Sequence, residues 1–77
     1  MYFKISVLYE GARSINTLMY YVKADNTVAA SNIVSKYTDE PLKVEEISGG
    51  KYRRDILDVC KYKPRRIEPD VWKLRKR

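Results

Sequence analysis

Apolar and polar residues alternate at the start of the chain. The alternation runs from Met1 to Glu10 and is rich in aromatic and β-branched side chains, which is typical of a β-strand. The same pattern returns from Asn16 to Ala24 and predicts a second strand. The polar stretch 11–14 contains a glycine and is typical of a hairpin loop. Because a short connection permits only antiparallel pairing, we expect the two strands to form a hairpin.

A helix is expected after the second strand. Asp25, Asn26 and Thr27 are all residue types whose side chains cap helix N-termini. Beyond them, apolar residues recur at helical spacing from Ala30 to Tyr37 and form one stripe. The helix should end before Pro41, since the residue before a proline is disfavoured in the helical region.

A third strand is expected from Leu42 to Ser48. Its adjacent acids, Glu45 and Glu46, do not fit simple alternation, so one of them must face solvent or lie at a bulge.

Gly49 and Gly50 are the strongest turn signal in the chain, because two glycines suit the positive φ of tight hairpins. The segment 51–60 then fits either a fourth strand or a short helix capped by Asp55, and we favour the helix.

These elements predict an α+β fold: a three-stranded antiparallel sheet with one helix packed on one face, in the order ββαβ. The predicted core comprises Phe3, Ile5, Val7, Leu18, Tyr20, Val22, Ala30, Ile33, Val34, Tyr37, Val44 and Ile47. The opposite face carries Tyr2, Leu8, Met19 and Tyr21, which is too apolar to be left to water. We expect the segment after Gly50, a second copy of the chain or a ligand to cover it.

The central part of this order is the segment from Tyr20 to Lys36, where a strand leads into a capped, alanine-containing helix. The ββαβ order over residues 1–48 resembles that of several small phage-encoded proteins, among them short nonstructural proteins of small single-stranded DNA phages. The resemblance implies a phage or mobile-element origin. It carries over no functional residue, because a shared architecture does not fix function.

Charge is concentrated at the end of the chain. Residues 61–77 hold eight Lys and Arg against two acids, which equals the net charge of +6 of the whole 77-residue protein. Pro64 and Pro69 argue against a continuous helix there. We therefore divide the chain into a small α+β domain over 1–60 and a basic, extended, proline-containing C-terminal tail over 61–77, with a terminal turn allowed at 70–74.

The sequence offers few groups for catalysis. It contains no His, and its single Cys60 cannot form an internal disulfide and is expected to pack as a small apolar side chain. Glu45 and Glu46 point to opposite faces of a strand, whereas Asp55 and Asp58 have arginines nearby that favour surface ion pairs. We expect no enzymatic activity, no metal and no cofactor.

Cations and aromatic residues interleave in the last third of the chain. A basic arm attracts phosphate backbones, and aromatic rings among cations can stack exposed bases. We therefore expect a non-enzymatic nucleic-acid-binding protein that favours single strands with little sequence preference. The candidate nucleic-acid-binding residues are Arg53, Arg54, Lys61, Lys63, Arg65, Arg66, Trp72, Lys73, Arg75, Lys76 and Arg77. The further stacking or interface candidates are Tyr2, Tyr21, Tyr52 and Tyr62.

The same features also fit a small protein–protein interaction protein, such as a phage-encoded inhibitor or an assembly factor. It would dock on a larger, acidic-surfaced protein, or on a second copy of itself, through the open sheet face or the tail. A further interpretation is that the basic segment is a solvated tail from which Trp72 folds back onto the open sheet face as an apolar anchor. The longest apolar run is far shorter than a membrane span, and a lone cysteine suits a reducing compartment. We expect a cytoplasmic location, in the host cell if the protein is viral.

Overall fold

A computed structural model describes residues 1–8 and 18–76. In chain order the elements are β1 (Tyr2–Val7), β2 (Leu18–Lys23), α1 (Thr27–Val34), β3 (Leu42–Ile47), α2 (Gly49–Ile56), β4 (Tyr62–Glu68) and β5 (Val71–Lys76). The strands form one open antiparallel sheet in the order β3-β1-β2-β5-β4. The α+β class is confirmed, but the described residues hold five strands and two helices instead of the expected three strands and one helix.

The first three strands pair as the sequence predicts. β1 lies between β2 and β3 and is antiparallel to both. Glu45 and Glu46 face Lys4 and Phe3 in an unbroken register, so the bulge is absent there. Both acids are exposed because β3 is an edge of the sheet. The hairpin loop expected over 11–14 lies outside the described residues.

Helix α1 begins where the sequence places it and ends early. The side chain of Asn26 accepts a hydrogen bond from the Ala29 N–H at 2.8 Å, which caps the first turn. Ala30 and Val34 are buried in the core beneath the helix. The helix ends at Val34, so Tyr37 lies in the following turn and is 41% exposed. The expectation of Tyr37 as a core residue is therefore wrong.

The glycine pair opens a helix, and the expected hairpin turn at that position is wrong. The Ser48 hydroxyl accepts a hydrogen bond from the Lys51 N–H at 3.1 Å and caps α2. A Cβ on Gly49 would lie 3.0 Å from the ring of Tyr2, so the glycine lets the start of α2 lie close against β1. The segment after Gly50 begins as a helix and not as a fourth strand, but the expected bounds are wrong: the helix is capped by Ser48 and ends at Ile56, directly after Asp55, which was the expected cap.

Helix α2 covers the sheet face that the sequence leaves open. Tyr52 of α2 is buried in one cluster with Met19, Tyr21 and Leu74. Its ring centroid lies 4.7 Å from that of Tyr2. A segment after Gly50, a second copy of the chain or a ligand was expected to cover this face. In the described residues the segment after Gly50 covers it.

A buried carboxylate ties α2 to the centre of the sheet. The hydroxyl of Tyr21 donates a hydrogen bond to Oδ2 of Asp55 at 2.5 Å, and Nζ of Lys51 lies 3.2 Å from the same oxygen. Burial alone would raise the pKa of Asp55, but these bonds and the charges of Lys51 and Arg54 hold it below its ordinary value. Burial, reinforced by Asp55, raises the pKa of Tyr21 far above its ordinary value. Asp55 is therefore an internal anchor: the expected ion pair with Arg54 is present, with Nε of Arg54 3.9 Å from Oδ1, but the carboxylate is buried and not at the surface.

The segment expected to form a tail supplies two strands of the same sheet. It is extended, as expected, but β5 lies between β2 and β4, and Leu74 is fully buried opposite Met19. Pro64 sits in the edge strand β4, where a missing N–H is tolerated and further strand pairing is discouraged. The terminal turn allowed at 70–74 is wrong, because the chain turns at 69–70 and 71–76 is a strand.

Cys60 is exposed, so its expected burial is also wrong. Helix α2 ends at Ile56, and Cys60 lies in the turn that leads to β4.

We expect Leu74→Ala to lower the free energy of unfolding by roughly 2–5 kcal/mol, because it opens a cavity between β5 and α2. Leu57→Ala is the matched control: Leu57 is 75% exposed, and its replacement should change stability by only about 0.5 kcal/mol. Urea denaturation measures both. Equal, small effects of the two substitutions would contradict the placement of β5 inside the sheet.

The Asp55 anchor should make stability depend on pH. Its folded-state pKa is lower than its ordinary value of 3.8, so its contribution is complete above that pH and is lost as the pH falls through the folded-state pKa. Asp55→Asn should cost roughly 1–3 kcal/mol at neutral pH, and its stability should converge on that of the wild type in acid. Urea denaturation over a pH series tests this, with exposed Asp39→Asn as the control that should follow the wild type throughout.

Candidate nucleic-acid interface

Strand alternation brings four cations together on one face of the β4–β5 hairpin. Lys63 and Arg65 of β4 lie directly opposite Arg75 and Lys73 of β5. These four positions lie on the same face of the sheet as α1. Lys73 is directly opposite Tyr20 of β2, and Tyr20 belongs to the core cluster that α1 covers. We call Lys63, Arg65, Lys73 and Arg75 the four-cation face.

The spacing of this face follows from sheet geometry. Directly opposite residues have Cβ atoms about 5 Å apart, and alternate residues on one strand are about 6.7 Å apart. The four side chains and Pro64 line an open depression of about 270 Å³. Each cross-strand pair holds one Lys and one Arg, so the depression offers two similar cationic positions side by side.

The four cations have no carboxylate partner among the residues that the structure describes. The ion pairs in the described ranges 1–8 and 18–76 involve other cations, namely Lys36, Lys43, Lys51 and Arg54. Like charges directly opposite each other destabilise a sheet. The face therefore costs the free protein stability, and a bound anion would relieve that cost.

An aromatic pair borders the four-cation face. The ring of Tyr37 stacks on that of Tyr20, with centroids 6.0 Å apart and planes inclined by 18°. The Tyr37 hydroxyl donates a hydrogen bond to Glu68, which raises the pKa of Tyr37, and Nζ of Lys36 lies 4.0 Å from the same carboxylate. The border of the face thus carries a fixed, partly exposed ring.

The other predicted cations lie elsewhere. Arg66 and Lys76 fall on the opposite face of the hairpin, where Arg66 pairs with Trp72. Arg53 and Arg54 are exposed on α2. Lys61 is exposed in the turn before β4, and Arg77 lies outside the described residues. The predicted basic set is therefore divided between two faces.

The predicted stacking residues are wholly or partly packed against the protein. Tyr21 and Tyr52 are buried, so their rings are not accessible to bases. Tyr2, Tyr62 and Trp72 are half-buried against the cluster under α2. Among residues 1–8 and 18–76, the accessible ring beside the cations is that of Tyr37, which the sequence pattern assigned to the core. The spacing of Tyr37 from Ala30 fits a continuous helix, and it does not indicate that the helix ends at Val34.

Other kinds of site are not evident in the part of the chain that the structure describes. Groups of three or more His, Cys, Asp or Glu side chains that could hold a metal ion do not occur among these residues. None of the helices formed by these residues is long and apolar enough to cross a membrane.

Comparison with protein-family models, curated proteins and solved structures finds no match to this chain. The chemistry of its own residues is therefore the basis for proposing a function.

The opposed cations give a prediction about stability. Arg65→Glu places a carboxylate opposite Lys73 and replaces a repulsion by an attraction, so it should raise the free energy of unfolding by roughly 0.2–1 kcal/mol at low ionic strength. Arg66→Glu, on the neighbouring residue but the other face, is the matched control and should not stabilise. Thermal unfolding in low and high salt measures the effect, which should shrink as salt screens the charges. A destabilised Arg65→Glu would contradict the proximity of Arg65 and Lys73.

Proposed function

We propose that this protein is a non-enzymatic nucleic-acid-binding protein that holds the phosphate backbone on the four-cation face. The observation that supports this most directly is the pair of facing cations, Lys63 with Arg75 and Arg65 with Lys73, without acidic partners among the described residues. Such an arrangement is unfavourable for the fold alone. It is favourable when an anion lies between the two strands.

Phosphates match this arrangement in charge and in repetition. The planar guanidinium of an arginine can donate two parallel hydrogen bonds to one phosphate, and a neighbouring lysine adds a second charge. The two cross-strand pairs repeat along the hairpin, as phosphates repeat along a nucleic acid. Each neutralised phosphate also releases condensed counterions, which adds affinity and makes binding depend on salt.

The proposed binding carries little sequence preference. Contacts to phosphates position a nucleic acid without reading its bases. The cations on the other face and on α2, including Arg66, Lys76 and Arg53, enlarge the positive field and would speed the approach of a polyanion.

An acidic protein surface is the other class of partner that a positive face could attract. The open sheet face, which was one proposed docking surface for such a partner, is covered by α2 in the described structure. The four-cation face would then be the remaining docking surface. A stoichiometric protein partner that survives nuclease treatment, together with no affinity for oligonucleotides, would favour this function over nucleic-acid binding.

The test compares two charge reversals that differ in face alone. Arg65→Glu and Arg66→Glu change the net charge equally and lie next to each other in β4. We expect Arg65→Glu to weaken binding of a labelled oligonucleotide, measured by fluorescence anisotropy at low salt, by about tenfold or more. Arg66→Glu should weaken it by a much smaller factor, because it affects only the long-range field.

The salt dependence supplies a second measurement on the same samples. Arg65→Gln should reduce the slope of log K against log salt concentration by about 0.7, the contribution of one phosphate contact with a single strand. Equal losses for the two charge reversals would mean that only the net charge matters. No binding by the wild type to DNA or RNA at low salt would rule out the proposed function.

A further inference from the structure

Tyr37 is an exposed aromatic residue whose position is fixed from two sides. Its ring stacks on that of Tyr20, with the centroids 6.0 Å apart and the planes inclined by 18°. The hydroxyl is held by Glu68, whose negative charge is partly balanced by Lys36. The residue is 41% exposed. A flat apolar surface is thus presented to solvent in a fixed orientation.

This ring lies at the border of the four-cation face. Tyr20, on which it stacks, is directly opposite Lys73 in the pairing of β2 with β5, and Lys73 is directly opposite Arg65. Neighbouring positions across a sheet are about 5 Å apart at Cβ. A phosphate held between Arg65 and Lys73 would therefore place its own nucleotide within reach of Tyr37.

We propose that Tyr37 is a stacking platform for one unpaired base of a single-stranded nucleic acid whose backbone lies on the four-cation face. This rests on the proposed function and narrows its substrate class to single strands. In a duplex the bases are stacked on one another and their faces are not available to a protein side chain. In a single strand every base has a free face, and stacking on an aromatic ring tolerates any sequence.

The fixed position of Tyr37 favours this role. A side chain that is already held in its binding orientation loses little conformational entropy when a ligand arrives. The stacking on Tyr20 and the hydrogen bond from the Tyr37 hydroxyl to Glu68 supply that constraint.

The experiment compares two ligands of equal length and charge, an oligothymidylate and the same backbone without bases. Wild-type protein should bind the oligothymidylate more tightly than the abasic strand. Tyr37→Ala should weaken binding of the oligothymidylate by about tenfold, as expected for the loss of one stacked base. The same substitution should leave the affinity for the abasic strand and the salt dependence unchanged.

Two further variants separate stacking from structure. Tyr37→Phe keeps the ring and removes the hydroxyl, so it should bind the oligothymidylate nearly as well as the wild type. Tyr37→Leu keeps an apolar contact with Tyr20 but has no flat ring, so it should behave like Tyr37→Ala while retaining a melting temperature close to that of the wild type.

The outcomes distinguish this inference from the proposed function. Equal binding of the two ligands by the wild type, or no loss of affinity in Tyr37→Leu, would overturn the role of Tyr37 and leave phosphate binding intact. Tighter binding to a duplex of the same length than to the single strand would also overturn it. Failure of the wild type to bind any of the three ligands would overturn the proposed function itself.

Discussion

The structure depends above all on the pairing of β5 with β2. This pairing converts β2 from an edge strand into the central strand of a five-stranded sheet. It buries Leu74 beside Met19 under α2 and places Val71 beside Val22 in the core under α1. A chain of 77 residues can bury only a modest fraction of its surface, so a hairpin that contributes to both clusters is a large part of what stabilises the fold. The four-cation face is a consequence of the same pairing, because alternation along β5 assigns Leu74 to one face and the flanking Lys73 and Arg75 to the other.

Local signals were sufficient to predict the first half of the fold. The alternation in β1 and β2, the cluster of cap residues at 25–27 and the strand after Pro41 each act over a few residues, and each predicted the element that the structure shows there. Local signals misled at Gly49, where a turn was the expected outcome. There the choice was made by the Ser48 cap and by close packing on Tyr2, which lies 47 positions away in the chain. Such a long-range contact cannot be predicted from the residues on either side of Gly49.

For the C-terminal strands and the site, the sequence predicted which residues take part but not how they are arranged. Lys63, Arg65, Lys73 and Arg75 were all among the candidate residues, but their grouping depends on the register of β4 and β5. The strands β4 and β5 were not predicted, because a run rich in Lys and Arg with two prolines is also typical of a solvated tail. The aromatic residues were misassigned for a related reason: Tyr21 is buried because its hydroxyl has a partner in Asp55 on a distant helix, whereas Tyr37 is exposed because its helix ends early.

Charge is compensated on one face of the sheet and uncompensated on the other, and this difference links the stability of the protein to its proposed binding. Under α2, the carboxylate of Asp55 is matched by Lys51 and by the Tyr21 hydroxyl. On the other face, cations stand directly opposite cations, at positions whose Cβ atoms are about 5 Å apart, and salt screens the repulsion between such exposed charges. Added salt therefore weakens the repulsion in the free protein and at the same time reduces the counterion release that favours a bound polyanion. Because the same four charges govern both effects, salt should stabilise the free fold under the conditions in which it dissociates the complex. A purely structural role for these residues would produce the first effect without the second.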